Sequence, residues 1–565
     1  MEEQTNLSSD SQIKTIAHEL AKEQREISIG EFFVRNRHLL GFDNQRKALL
    51  TTVKEAVDNS LDACEEAGVL PEINVEVIDM SNNRFRVIVE DNGPGIIKSQ
   101  IPKIFGKLLY GSKFHKIKMT RGQQGIGISA CVMYSHLTTG RPAKIISKIH
   151  PQKPANLFEL TVDTKKNSAE VMKEEEIIWE KSHGTRIELD IEGSYQKGPQ
   201  SVDQYLKQTA ITNPHVTIIY TNPKAEQIIF PRATEQLPKK TKEIKPHPYG
   251  IELGLLLQMA KETKARNMSS FLQTEFSRVS ASAAKEICEN SGVFPNANPH
   301  HLNREMGENL INGIKKTKII APPSDCIAPI GEDALEKGLK KEVLAEFYCA
   351  TTRSPSVYRG YPFIIEVAIA YGGEQTSDKQ ANILRYANRV PLLYQQGACA
   401  STESIQQTNW RNYGMSQSGE SIPIGPCTIV VHVASVWVPF TSESKEAIAH
   451  YPEIIKEMKL AIQECGRKLS SYIRKKYKVG EELKKRGHIE KFIPHISEVI
   501  KNLLKINDSK KEEIEKLLAV ILENKRGVIE NIEAENVEYD EEFAKIGREE
   551  YEDDSKKGKD DGEDE

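Results

Sequence analysis

Residues 121–129 read RGQQGIGIS, which spaces Gly122, Gly125 and Gly127 as GxxGxG. The order is the reverse of the GxGxxG dinucleotide fingerprint, and no GxxxxGK[ST] phosphate loop stands here. Glycines at this spacing leave backbone amides unobstructed, and the helix-like run 128–137 follows directly. A row of open amides with a helix N-terminus behind it attracts anions, so the loop is a candidate phosphate grip. Alone, the string equally fits an ordinary surface loop, and its surroundings must decide.

Those surroundings alternate helix with antiparallel strand. Residues 44–67 carry Leu49, Val53, Ala56, Val57 and Leu61 at helical spacing, and Gly68 and Pro71 stop the run. INVEVI (73–78) and RFRVIVE (84–90) alternate as strands around a turn-like SNN, a hairpin pattern. A helix is expected around 99–110, and further strands at AKIISKI, NLFELTV and GTRIELDI. The first 230 residues therefore predict an α+β layered fold rather than a parallel Rossmann sheet. Short helices fill His247 to about Pro322, and APPSD (321–325) marks a boundary. A second α/β segment follows, with FIIEVAIAYGG, RVPLLY and CTIVVHVASVWVPF as strands. One long helix is expected over 452–476, then further helices over 481–525. The end, YEDDSKKGKDDGEDE, has the charge density of a disordered tail.

Composition narrows the setting. Net charge is −4, from 77 basic and 81 acidic groups, which neither requires nor excludes a nucleic-acid partner. No two of the eight cysteines stand at CxxC spacing, so a zinc site or disulfide framework is not expected and a reducing interior is. The polar start MEEQTNLSSD and the lack of a long apolar run predict an intracellular, cytoplasmic protein with no membrane partner.

Three other strings accompany the glycine loop. In KEAVDNSLDA (54–63), Glu55 and Asn59 are four apart and share a helix face. A carboxylate there can activate a water, and an amide oxygen suits an octahedral Mg²⁺. EDNGPGI (90–96) follows a strand. Its Asp91 can accept from an amino group, while Gly93 and Gly95 permit close backbone approach. HGTRIELDI (183–191) sets Thr185 at a strand start, where it can hydrogen-bond a base. Each string alone also fits an exposed helix face or a capped turn; the four in this order are far more specific.

In that order they resemble the GHKL ATPases, the group that includes gyrase, Hsp90, histidine kinases and MutL. The resemblance implies that Glu55 is the general base, Asn59 the magnesium ligand and Asp91 the adenine reader. It implies lid amides from Gly122, Gln123, Gln124, Gly125, Ile126 and Gly127 on the phosphates, and Thr185 at the base. ATP and Mg²⁺ are the implied cofactors. Glu55 sets the chain apart from histidine kinases, which lack that base. Gyrase B would need EGDSA and DxD strings, and neither is present.

Over most of its length the chain resembles the B subunits of DNA topoisomerase VI, archaeal type IIB enzymes. ISIGEFFVRNRHLLGF is similar to their N-terminal strap. The helical insert is similar to their helix-two-turns-helix domain, and RYANRVPLLYQQGACA and VWVPFTSESKEAIA to their transducer. The implied division is strap 1–43, ATPase domain 44–240, helix-two-turns-helix domain 241–328, transducer 329–478, C-terminal helices 479–535 and acidic tail 536–565. Lys445 is the implied γ-phosphate lysine, with Gln395 or Arg389 as supports. The resemblance implies B–B homodimerisation on ATP binding, an A2B2 heterotetramer with the A subunit, double-stranded DNA as substrate and a nucleoid location. Lys315, Lys316 and Lys318, and Arg474, Lys475 and Lys476, are candidate phosphate contacts. The alternative is a GHKL clamp or scaffold acting in repair or chromosome organisation without strand passage. Such a chain would be expected to carry a sustained heptad or a C-terminal endonuclease domain.

Overall fold

The computed structural model describes residues 16–112, 117–122, 125–442 and 444–526. Two short helices come first, α1 (Ile16–Glu23) and α2 (Ile29–Arg35). The Ser28 hydroxyl caps α2 and also donates to the Thr164 carbonyl at 2.7 Å. A Cβ on Gly30 would lie 2.3 Å from that same carbonyl oxygen, so the expected strap packs on its own domain here.

Helix α3 (Gln45–Ala67) starts at Asn44, whose side chain accepts from the Lys47 amide at 2.9 Å, and stops at Gly68 in a left-handed conformation. Its stripe Leu49, Val53, Val57 and Leu61 is fully buried. At about 1.5–3 kcal/mol for each large aliphatic side chain, this stripe seats the helix far more firmly than its cap does. The stripe lies on an eight-stranded sheet with order β5-β4-β3-β6-β2-β1-β7-β8. The strands are β1 (Glu72–Asp79), β2 (Arg84–Asp91), β3 (Ala143–Lys148), β4 (Ala155–Asp163), β5 (Ser168–Ile177), β6 (Gly184–Glu192), β7 (Thr217–Thr221) and β8 (Gln227–Phe230). Every neighbouring pair is antiparallel except β1 with β7. Helices α4 (Ile101–Gly106), α5 (Gly127–Thr139) and α6 (Val202–Thr212) complete this α+β unit.

The helical insert is α7 (Leu253–Glu262), α8 (Met268–Glu275), α9 (Ala281–Ser291) and α10 (Arg304–Lys316), with its own core around Leu256, Phe271, Ile287 and Leu310. The third unit begins with α11 (Glu332–Glu342). Its sheet holds β9 (Phe347–Thr352), β10 (Ser356–Tyr358), β11 (Tyr361–Tyr371), β12 (Asn382–Ala387), β13 (Val390–Pro391) and β14 (Cys427–Ser435), with α12 (Ala400–Gln406) in the crossover between the parallel strands β12 and β14. Helix α13 (Pro452–Leu504) packs on this sheet through Met458, Ile462, Cys465 and Leu469, and α14 (Asp508–Arg526) folds back along its far end. No described helix is long and apolar enough to cross a membrane.

Four expectations are corrected. The helix expected over 99–110 is a 3-10 turn (Lys98–Gln100) and the short α4, because Lys107 turns extended and Leu109 is left-handed. RVPLLY forms only a two-residue strand, since Asn388 and Arg389 both take positive φ and Pro391 has no amide to donate. The third strand stops at Ser435 rather than Phe440. The helix expected to end at residue 476 runs on as a single 53-residue α13, so the boundary drawn at 478 falls inside it. Pro494 lies within that helix, and the Ser497 hydroxyl beside it bonds Glu515 of α14 at 2.6 Å. The acidic tail 536–565 lies outside the described residues, as does Met1–Thr15 of the strap.

Candidate functional site

A cavity of about 600 Å³ opens between α3, the end of β2, the glycine loop and a loop of the third unit. Helix periodicity explains its first wall: with the apolar stripe on the sheet, Glu55 and Asn59 come one turn apart on the open side, and both line the cavity. Glu55 is half-buried and Asn59 exposed.

Asp91 ends β2 and forms the second wall. One of its carboxylate oxygens accepts from the Gly93 amide at 2.9 Å and the Thr185 amide at 3.1 Å; the other accepts from the Ser60 hydroxyl at 2.8 Å. Burial pushes the Asp91 carboxyl up from the usual range, and these three donors oppose that. The carboxylate is thereby held rigidly with acceptor capacity left toward the cavity, as recognition of an exocyclic amino group requires. Thr185 lies beside it, its hydroxyl 3.3 Å from the Ser147 hydroxyl. Gly95, at φ +72°, carries the chain so close to β3 that a Cβ would stand 2.1 Å from the Lys148 carbonyl oxygen.

The glycine loop is the third wall. Gly122, Gly125, Ile126 and Gly127 line the cavity, and α5 begins at Gly127. Gly125 has φ +58°. A Cβ at Gly127 would lie 1.8 Å from the Glu55 carboxylate, so glycine here lets that carboxylate keep its place against the loop. Gln123 and Gln124 lie outside the described residues.

The fourth wall comes from the third unit. Lys445 sits at φ +54° on the loop closed by the Phe440–Ile448 bridge, and it lines the cavity with Ser444, Glu446 and Pro391–Tyr394. The two expected supports separate from it. Gln395 is not on the cavity wall and accepts from the Thr441 hydroxyl at 3.5 Å. Arg389 lies fully away from the cavity, in the seam between the units, where it donates to the carbonyls of Ala328 and Pro329. Asn388 and Arg389 both take positive φ, in the turn between β12 and β13.

That seam is polar. Arg121, immediately before Gly122, is buried against Asp62 (2.8 Å), Glu65 (2.6 Å) and Asn213 (2.5 Å), and His215 bonds Glu65 at 2.8 Å. Burial works against the Glu65 charge, but the Arg121 guanidinium and the His215 bond outweigh it and hold the carboxyl well below its usual range. Thr212 donates to the Arg389 carbonyl at 2.7 Å, and α6 packs on α11 through Ile211, Leu335 and Leu339.

Sequence reasoning passed over Ser60, Lys47, Tyr205 and the Leu392–Tyr394 stretch, all on the cavity wall. Only Ser60 carried a local signal, as the residue that follows Asn59 on the same helix turn. The expected DNA-contact clusters are divided. Lys315, Lys316 and Lys318 stand at the end of the insert, whereas Lys476 is paired with Glu346.

Among the described residues no group of three His, Cys, Asp or Glu side chains is arranged to hold a metal ion. The acceptor set suits a hard cation that keeps most of its ligands as water and phosphate oxygen, with Asn59 as a protein oxygen.

Comparison with known proteins accords with this layout. Residues 44–192 match the family of histidine kinase-, DNA gyrase B- and HSP90-like ATPases, and residues 322–485 match the transducer of the topoisomerase VI B subunit. The B subunit of type 2 DNA topoisomerase 6 from Methanococcoides burtonii is 50% identical over 490 residues, covering 86% of this chain and 79% of the relative. Its counterpart from Archaeoglobus fulgidus is 46% identical over 504 residues, covering 89% and 83%. The one from Natronomonas pharaonis is 36% identical, covering 90% and 86%. With a nucleotide-binding ATPase unit joined to a transducer in the same order as these relatives, the chain belongs to the family of type 2 DNA topoisomerase 6 B subunits, the ATPase subunits of type IIB topoisomerases.

Proposed function

We propose that this chain is an ATP-driven clamp whose closing and opening carry one DNA duplex through a break in another. The observation that carries the proposal is the convergence of Glu55, Asn59, Asp91, the glycine loop and Lys445 on one cavity, with Lys445 contributed by a different unit from the rest. A site built from two units ties their relative placement to its contents when those contents bind one placement better than another.

In this mechanism Asp91 accepts from the adenine amino group, with Thr185 beside it. The amides of Gly122, Gln123, Gln124, Gly125, Ile126 and Gly127 take the phosphate oxygens. Glu55 orients the attacking water and receives its proton. The Lys445 ammonium meets charge building on the transferring phosphoryl group and is released when that group leaves. Mg²⁺, held on the protein side by Asn59, would neutralise charge on the phosphate oxygens. Nucleotide-bound copies pair through their N-terminal segments around a duplex. The A subunit, in an A2B2 heterotetramer, makes the break, and the assembly acts on nucleoid DNA in the cytoplasm.

The test is sedimentation and steady-state turnover with ATP or a non-hydrolysable analogue. Wild type should dimerise with either nucleotide. Glu55→Ala should dimerise with ATP but not turn it over, and Asn59→Ala should lose the Mg²⁺ dependence of binding. A Glu55→Ala chain that hydrolyses ATP normally would contradict the proposal.

A further inference from the structure

The loop that carries Lys445 is fastened to the ATPase unit by an ion pair no catalytic role accounts for. Lys47, in the first turn of α3, places its ammonium between Asp43, at 2.6 Å, and Glu446 of the third unit. Lys47 and Glu446 side chains are each only 9% exposed. The Tyr394 ring lies beneath the ammonium at 5.4 Å. Burial alone would lower the Lys47 pKa, but its two carboxylate partners hold it above the usual lysine range.

Geometry gives the pair its consequence. Glu446 directly follows Lys445, and the loop is narrow: the Lys445 amide donates to Ser442 at 3.1 Å and the Thr441 amide to Ala447 at 2.9 Å. Lys445 holds a left-handed backbone, so the direction of its side chain depends on the neighbours that fix the loop. The Lys47–Glu446 pair is a charged contact that crosses from this loop to α3, the helix that also carries Glu55 and Asn59. A single rigid helix therefore sets both the base and the seat of the lysine loop.

We propose that Lys47 and Glu446 are positioning residues for phosphoryl transfer: a buried ion-pair latch that seats the Lys445 loop against α3. The proposal rests on Lys445 acting at the γ-phosphate. When the units separate, the latch must break, and its attraction is exchanged for rehydration of the two charges.

The experiment measures ATP turnover, affinity for a non-hydrolysable ATP analogue and thermal midpoint on the full chain with its A subunit. The variants are Glu446→Gln, Lys47→Gln, their double, Lys47→Arg and Lys445→Met. A misplaced catalytic group costs up to about a hundredfold, so each single latch variant should lose about ten- to a hundredfold in kcat with analogue affinity within about twofold. The double should be no worse than the poorer single, because the two residues act as one unit. Lys47→Arg, which keeps the charge, should restore most of the turnover. Unchanged kcat in Glu446→Gln alongside lost turnover in Lys445→Met would overturn the latch alone. Additive losses, or losses in midpoint and affinity that match the loss in kcat, would also overturn it, by reducing the pair to a structural contact. Normal turnover in Lys445→Met would overturn the Lys445 reading instead, and the latch with it.

Discussion

Replacing Gly127 with alanine tests the site at its tightest point. The added Cβ would stand 1.8 Å from the Glu55 carboxylate oxygen and 2.5 Å from its carboxyl carbon, about 1.6 Å short of the 3.4 Å at which ordinary contact begins. Gly127 has no left-handed φ to protect, and it opens α5, where alanine is favoured over glycine by up to about 1 kcal/mol. The helix should therefore stay, and the flexible Glu55 carboxylate should move. A base displaced by more than 1 Å loses alignment with its water, and such a shift is worth about a hundredfold, or about 2.7 kcal/mol of barrier. Steady-state hydrolysis with the A subunit should show kcat lowered by about two orders of magnitude. The thermal midpoint should be unchanged or slightly raised. Turnover within about threefold of wild type in a folded Gly127→Ala chain would refute the reasoning, since 1.6 Å of displacement would then carry no cost.

Lys445→Met should keep affinity for a non-hydrolysable analogue within a few fold while kcat falls by about a hundredfold; equal losses in both would place Lys445 in ground-state binding. Glu65, whose folded pKa is depressed by Arg121 and His215, contributes stability that is present above its unfolded pKa of about 4.3 and lost as pH falls toward the folded value. Glu65→Gln should therefore cost about 3 kcal/mol at pH 7 and flatten the stability profile below about pH 4, read by urea unfolding at stepped pH. An unaltered acid limb would show that the seam does not hold that charge. Gly338→Ala would drive a Cβ to 2.1 Å from the Ile211 carbonyl oxygen, forcing α11 off α6. A loss of about 1–3 kcal/mol in chemical denaturation is expected, and none would mean that the two helices slide freely.

What could be read in the sequence was what is local. The stripe of α3 and the alternation in β1 each report a single buried face, the continuous apolar runs of β11 and β14 report strands buried on both faces, and each formed where expected except that β14 ends at Ser435. Strand β5, SAEVMKEEEI, was not anticipated, because it is an edge strand exposed along most of its length and alternates no apolar set. Gly480, Gly487 and Pro494 are poor helix formers, yet α13 continues through all three, and α14 packs along its far end and supplies tertiary support that propensity does not see. The same division runs through the site. Glu55 and Asn59 share a helix face by their spacing, and the four strings in order single them out. Lys445 stands in an unremarkable SESKE, and only resemblance singled it out. Its Glu446 neighbour and Lys47 lie in different units and meet only through the fold, so no local pattern links them.

The most direct measurement is plasmid relaxation by the purified chain with its A subunit, with and without ATP and Mg²⁺, beside Glu55→Ala. The account predicts multiple-turnover relaxation only in the complete mixture with ATP, and its loss in Glu55→Ala. Sustained relaxation without ATP, or by Glu55→Ala, would contradict it.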